Sequence, residues 1–210
     1  GTLDLSGGYK AVFRKALPKT TLVADPFHLI KLANQRIDET RRRVQNELYG
    51  SRARAGDPLY RIRRLLTMAD ERLTSYAKDK LVGLLKADDP GNEVATAWQA
   101  KEALRELYTI SDPSLARRYA DSLFLELTGA DNPKEVQLLG RTLTSWKEEI
   151  LAWHSCHVTN GPTEAMNNLV KVTKRVAFGM TNFYNFRIRT LLSGGKVNWD
   201  LLATVTPTFR

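Results

Sequence analysis

Thr2-Leu3-Asp4-Leu5-Ser6-Gly7-Gly8, continued by Tyr9 to Leu17 and then by Thr21-Leu22-Val23-Ala24-Asp25-Pro26, is the stretch on which the fold class turns. Thr2 to Leu5 reads as a short strand, Ser6-Gly7-Gly8 as a turn, Tyr9 to Leu17 as a helix and Thr21 to Ala24 as a second strand. Two strands joined through a helix predict a parallel βαβ unit, in which polar residues at the strand C-termini gather where ligands bind. Asp4 and Asp25 hold those two positions.

Beyond Pro26 the pattern changes. From Phe27 to Val158 apolar residues recur at helical spacing, and no convincing strand interrupts them. The breaks fall at Gly50 to Pro58, Asp88-Asp89-Pro90-Gly91, Asp112-Pro113 and Gly129 to Pro133, each combining turn residues with a helix start. After Pro133, residues Val136, Leu139, Leu143, Trp146, Ile150 and Trp153 line one stripe, which predicts core packing. A further helix should run to about Ala177 and another from about Asn182 to Leu192, followed by an irregular tail with Trp199 and Pro207. The expected fold is therefore mostly α with a small α/β part. The polar, basic stretch from Gly50 to Gly56 is expected to be mobile.

With 210 residues and 42% hydrophobic content the chain can bury a core. Its 32 Lys and Arg against 23 Asp and Glu give a net charge of +9, which points to a polyanionic partner and first to nucleic acid. The cations cluster at Arg36, Arg41, Arg42 and Arg43, at Arg52, Arg54, Arg61, Arg63 and Arg64, and at Lys171, Lys174, Arg175, Arg187 and Arg189. The single cysteine, Cys156, excludes an intramolecular disulfide and is the usage of a reducing, cytoplasmic compartment. No apolar run is long enough to span a bilayer, and no secretory leader is recognisable, so no membrane role is expected.

The chemistry centres on Asn160-Gly161-Pro162-Thr163-Glu164-Ala165-Met166-Asn167-Asn168. Proline favours the first helical turn, so Glu164 should sit rigidly about one turn into a helix. Glu164, Asn168, Lys171 and Arg175 share one face, opposite Met166, Leu169, Val170, Thr173 and Val176. A first-turn glutamate also simply complements the helix dipole. The acids Asp4, Asp25 and Glu164, with His28, lie far apart along the chain but could converge, as two-metal phosphodiester chemistry requires. His28 could equally be a core histidine bonded to Asp25. His154, Cys156 and His157 lack the four ligands of a structural zinc site. Among the aromatics, Phe183 and Phe186 are expected to pack, while Lys174, Arg175 and Arg189 face DNA.

These residues resemble the DDE transposases of bacterial insertion sequences, most closely the ISL-three group. The similarity runs through Leu3 to Tyr9, Val23 to His28, Tyr60-Arg61-Ile62-Arg63-Arg64, Asn160 to Asn168, and Lys174 to Gly179 with Asn182-Phe183. It implies a partial ribonuclease-H-like core, residues 1–32 and 159–195, carrying an all-helical insertion, 33–158, with a tail at 196–210. It implies Asp4 and Glu164 as catalytic acids and ligands of Mg²⁺ or Mn²⁺, with Asp25 as the alternative second acid. Asp4 is preferred because it ends the earlier strand. Asp25, His28, Asn160 and Asn168 would support the site. Arg41, Arg42, Arg61, Arg63, Arg64, Lys171, Lys174, Arg175 and Arg189 would meet DNA. The family's first aspartate lies on an earlier strand and has no counterpart here, so the chain is expected to be a fragment, inactive alone, of a transposase that cleaves and joins DNA at element ends. A homo-oligomer in the cytoplasm, associated with the nucleoid, would fit that role. The competing reading is a non-catalytic, basic DNA-binding or dimerisation module.

Overall fold

The computed structural model describes residues 1–50 and 56–195. The expectations for Arg52, Arg54, most of the stretch after Gly50, Trp199, Pro207 and the 196–210 tail lie outside the described residues. The chain divides into two compact units, Gly1–Thr159 and Asn160–Arg210.

In the first unit β1, Thr2–Leu3, pairs in parallel with β2, Val23–Ala24, in the register Thr2 with Val23 and Leu3 with Ala24. Helix α1, Gly7–Ala16, connects them. Both strands are shorter than the sequence predicts. At β1 the reason is local: Ser6 N–H bonds Asp4 O at 2.6 Å, which bends the chain two residues early and draws Gly7 and Gly8 into the first turn of α1.

Helix α2, Pro26–Tyr49, forms the spine of the unit. Pro26 starts it, and Gly50 ends it in the left-handed region at φ 63, where a Cβ would be strained. Its buried positions Leu29, Ala33, Ile37, Thr40 and Val44 recur at three- and four-residue steps. They pack chiefly on α6, Glu93–Leu107, and α8, Lys134–Ser145. Between α2 and α6 lie α3, Pro58–Arg61, α4, Arg63–Thr67, a 3-10 turn at Asp70–Arg72, and α5, Ser75–Asp88. Helix α7, Pro113–Leu127, approaches α8 so closely that a Cβ at Gly140 would stand 2.9 Å from the Leu127 backbone. The predicted all-helical character of this stretch is thus observed. No helix among the described residues is long and apolar enough to cross a membrane.

The stripe after Pro133 is buried from Val136 through Ile150, as expected of core. It is carried by three helices, however: α8, α9 at Lys147–Leu151 and α10 at Trp153–Cys156. The break after α8 falls at Trp146, where φ −110 and ψ 12 leave the helical region.

Three charged groups inside this unit are structural. Lys101 is fully buried, and its ammonium donates to Leu66 O at 2.8 Å and to Met68 O, closing the end of α4. Arg41 was expected to face DNA. It is instead buried, with its guanidinium donating to Asp38 and Gln45 on the same helix, because its position falls on the packed face of α2. Arg43 joins three helices by donating to Glu47, to Glu93 and, at 2.9 and 3.0 Å, to Glu135. These carboxylates raise the arginine above its ordinary value. Burial pushes the Glu135 carboxyl up, but the Arg43 hydrogen bond and charge together outweigh it and hold the group below the usual glutamate range.

In the second unit α11, Gly161–Val176, packs on α12, Phe183–Gly194. Gly194 lies against Met166 and Leu169, where a Cβ would come within 2.7 Å of the Met166 sulfur. Met166 and Leu169, on the face of α11 expected to pack, thus meet α12 but stay more than a third exposed, and Val176 at the helix end is exposed further. Phe183, expected to pack, is also exposed, since it occupies the first position of α12; its ring lies tilted beside the half-buried Phe186, at 6.5 Å between ring centroids.

Arg43→Met should lower the stability of the chain by about 3 kcal/mol in urea titrations, because it strands two partly buried carboxylates. The wild-type contribution is present above the ordinary glutamate pKa and is lost as the pH falls through the depressed folded value of Glu135. Glu135→Gln should flatten that acid limb.

Candidate metal-binding acids and cationic surface

Asp25 follows β2 directly and is 2% exposed. Its N–H bonds Leu3 O at 3.0 Å, extending the ladder by one rung, and its carbonyl accepts from His28 at 3.1 Å and Leu29 at 3.3 Å at the start of α2. The side chain stands at the N-cap position but makes no cap hydrogen bond. It turns to His28, whose Nδ1 lies 2.9 Å from Oδ2. A carboxylate only accepts, so Nδ1 carries the proton and donates. Three residues on a helix bring the two side chains to one face.

Asp4, at the end of β1, reaches the same imidazole: its Oδ1 is 3.4 Å from His28 Nδ1. Its side chain is 55% exposed against 3% for that of Asp25. The two candidates for the second acid thus differ in kind. Asp25 is enclosed and engaged, while Asp4 presents a carboxylate to solvent beside a ring that Asp25 orients. Phe27 packs edge-on against that ring at 5.4 Å.

Glu164 lies in the first turn of α11 behind Pro162, and its N–H bonds Asn160 O at 2.9 Å. Asn160 thus closes the helix start through its backbone, and Asn168, one turn further, is exposed. No group of three or more His, Cys, Asp or Glu side chains suited to a metal occurs among the described residues.

The expected DNA-facing cations separate into three sets. Arg61, Arg64 and Arg42 are exposed, Arg42 paired with Asp38 at 2.7 Å. Arg63 is half-buried and stacks on Tyr60 at 3.9 Å while donating to the Tyr60 carbonyl. Lys171, Lys174, Arg175, Arg187 and Arg189 are all exposed on α11 and α12. His154 is buried with Nδ1 3.0 Å from Ile110 O and its ring stacked on Tyr108, and Cys156 is exposed. Burial pushes the His154 imidazole below its ordinary value. These two residues read as packing and helix end.

One contact had no sequence signal. Glu149, buried in α9, bonds Lys10 at 2.7 Å and Arg14 at 3.1 Å and so fastens α1 to the helical body. Arg14, the nearer of its partners in sequence, lies 135 residues away, and neither leaves a periodic trace.

The sequence profile of the ISL3 type of DDE transposases matches residues 2–190, and the chain belongs to that transposase family. An ATP-dependent protease of Lactococcus lactis subsp. lactis is 36% identical over 63 residues, which are 30% of this chain and 20% of that protein. The aligned stretch is thus about a fifth of that relative's length. No solved structure matches the chain.

Asp25→Ala should cost about 2 kcal/mol by leaving a partly buried imidazole N–H unmatched, whereas Asp25→Asn, which keeps an acceptor oxygen, should cost less. Thermal melting of the two variants checks the order.

Proposed function

We propose that the chain contributes part of the catalytic domain of an insertion-sequence transposase, with Asp4 and Glu164 as two of its metal-binding acids. The reading that residues 1–32 and 159–195 together form a ribonuclease-H-like core around the 33–158 insertion is part of the same proposal. The observation that carries it is the exposed Asp4 carboxylate at the end of a parallel strand, beside an imidazole that buried Asp25 holds in one orientation.

Carboxylate oxygens suit a hard divalent cation in kind, although two acids make a partial ligand set. When bound, the ion supplies Lewis acidity toward a phosphate and a more acidic water. The chain's own residues do the rest. Asp4 offers an oxygen whose direction is fixed by the strand and by His28. Glu164 offers another from a helix start stiffened by Pro162. Arg61, Arg64, Lys171, Lys174, Arg175 and Arg189 neutralise phosphates and hold the strand without reading sequence.

The paramagnetic signal of Mn²⁺ should therefore be quenched on titration with the chain, and Asp4→Asn or Glu164→Gln should each weaken that binding by roughly tenfold or more. Equal affinity in either variant would overturn the assignment. Little strand cleavage of supercoiled DNA is expected from this polypeptide alone. The excess of cations on α11 and α12 also favours a role in DNA binding that needs neither acid. On that reading DNA affinity survives both substitutions and falls steeply with salt.

A further inference from the structure

Helix α11 ends in a way that its sequence does not favour. Phe178 N–H bonds Arg175 O at 3.0 Å and Gly179 N–H bonds Lys174 O at 3.2 Å. This pair of bonds is the Schellman closure, whose penultimate residue takes the left-handed conformation and is usually glycine. Here it is phenylalanine, at φ 53. A bulky side chain in that region is an outlier, because its Cβ crowds the backbone. Glycine stands one place later, at Gly179, which has φ 100 of its own. Packing does not compensate for the strain, since the ring of Phe178 is 100% exposed. Neither local propensity nor core formation accounts for an aromatic at this position. Strain of this sort clusters at active sites and ligand clamps.

The surroundings indicate what it is presented to. Lys174 and Arg175, in the last turn of α11, are exposed, and Arg189 lines a cavity of about 230 Å³ beside Gly179 together with Asn182 and Asn185. Residues 160–195 hold five Lys and Arg and one carboxylate, Glu164. A flat apolar ring on a cationic surface, flanked by the amides of Asn182 and Asn185, matches nucleic acid in three respects: charge, stacking and hydrogen bonding.

We propose that Phe178 is a stacking wedge: it inserts against a base of DNA whose phosphates are held by Lys174, Arg175 and Arg189, and parts that base from its neighbour. Apolar side chains used in this way unstack and kink a duplex. The inference rests on the DNA-processing reading above and adds to it a residue that acts on base stacking and needs no metal.

The test uses the full 210-residue chain in metal-free buffer with duplexes in which 2-aminopurine is placed at successive positions. Binding is read by anisotropy of an end label and unstacking by the 2-aminopurine emission. Wild type should bind and raise the emission severalfold at one or more positions. Phe178→Ala should still bind, with an unchanged salt slope, and lose the rise, and Phe178→Trp should restore it. Phe178→Gly should melt no lower than wild type, because the ring packs on nothing and glycine relieves the backbone, so loss of signal is not loss of fold. Emission that stays flat in wild type, or rises equally in Phe178→Ala, overturns the wedge while leaving DNA binding intact. Absence of DNA binding by wild type overturns the wedge together with the reading beneath it. Uptake by anionic vesicles that depends on Phe178, with no emission change on DNA, assigns the ring to a lipid surface and likewise overturns it.

Discussion

Asp25 is 2% exposed, and a carboxylate so enclosed costs several kcal/mol unless donors meet it. One donor is His28 Nδ1, one helical step away at 2.9 Å. The same residue continues the hydrogen bonding of β2 through its N–H and opens α2 through its carbonyl. A pair of two-residue parallel strands is far too small to stand alone. Tying its end to a 24-residue helix that is itself packed on α6 and α8 gives it a fixed frame. The orientation of His28, and through it the surroundings of Asp4, follow from that junction.

Charge inside the helical body works in the same manner. Arg43 gathers three glutamates from three helices, Lys101 closes a helix end with a fully buried ammonium, and Glu149 clasps α1 from α9. Groups of this kind add little to net stability compared with apolar replacements but penalise every arrangement that leaves one of them alone. Helices α11 and α12 follow a different rule: among their described residues none is buried, and their cations point outward.

What could be read from the sequence followed local physics. The βαβ opening, the helical middle and the breaks at Asp112-Pro113 and Gly129 to Pro133 were visible because proline, glycine and apolar period act over a few residues. The pairing of His28 with Asp25 was legible for the same reason, being a three-residue step. Strand length was not, since the Asp4 to Ser6 turn competes with the ladder at a scale that the pattern does not resolve. Arg41 misled because composition locates an arginine cluster without saying which of three neighbours the helix turns inward. Phe183 misled because aromatic character alone does not distinguish a ring that packs from one presented at a helix start. The left-handed Phe178 was hidden altogether, since the glycine that signals a helix end is displaced by one position.

The central proposal is that Asp4 and Glu164 are ligands of one divalent ion. The most direct measurement is a crystal structure of the chain soaked in Mn²⁺, with diffraction recorded at the manganese absorption edge. The account predicts an anomalous peak bonded to oxygens of both carboxylates at ordinary metal–ligand distances. A peak elsewhere, or the two carboxylates on separate faces of the molecule, would contradict it.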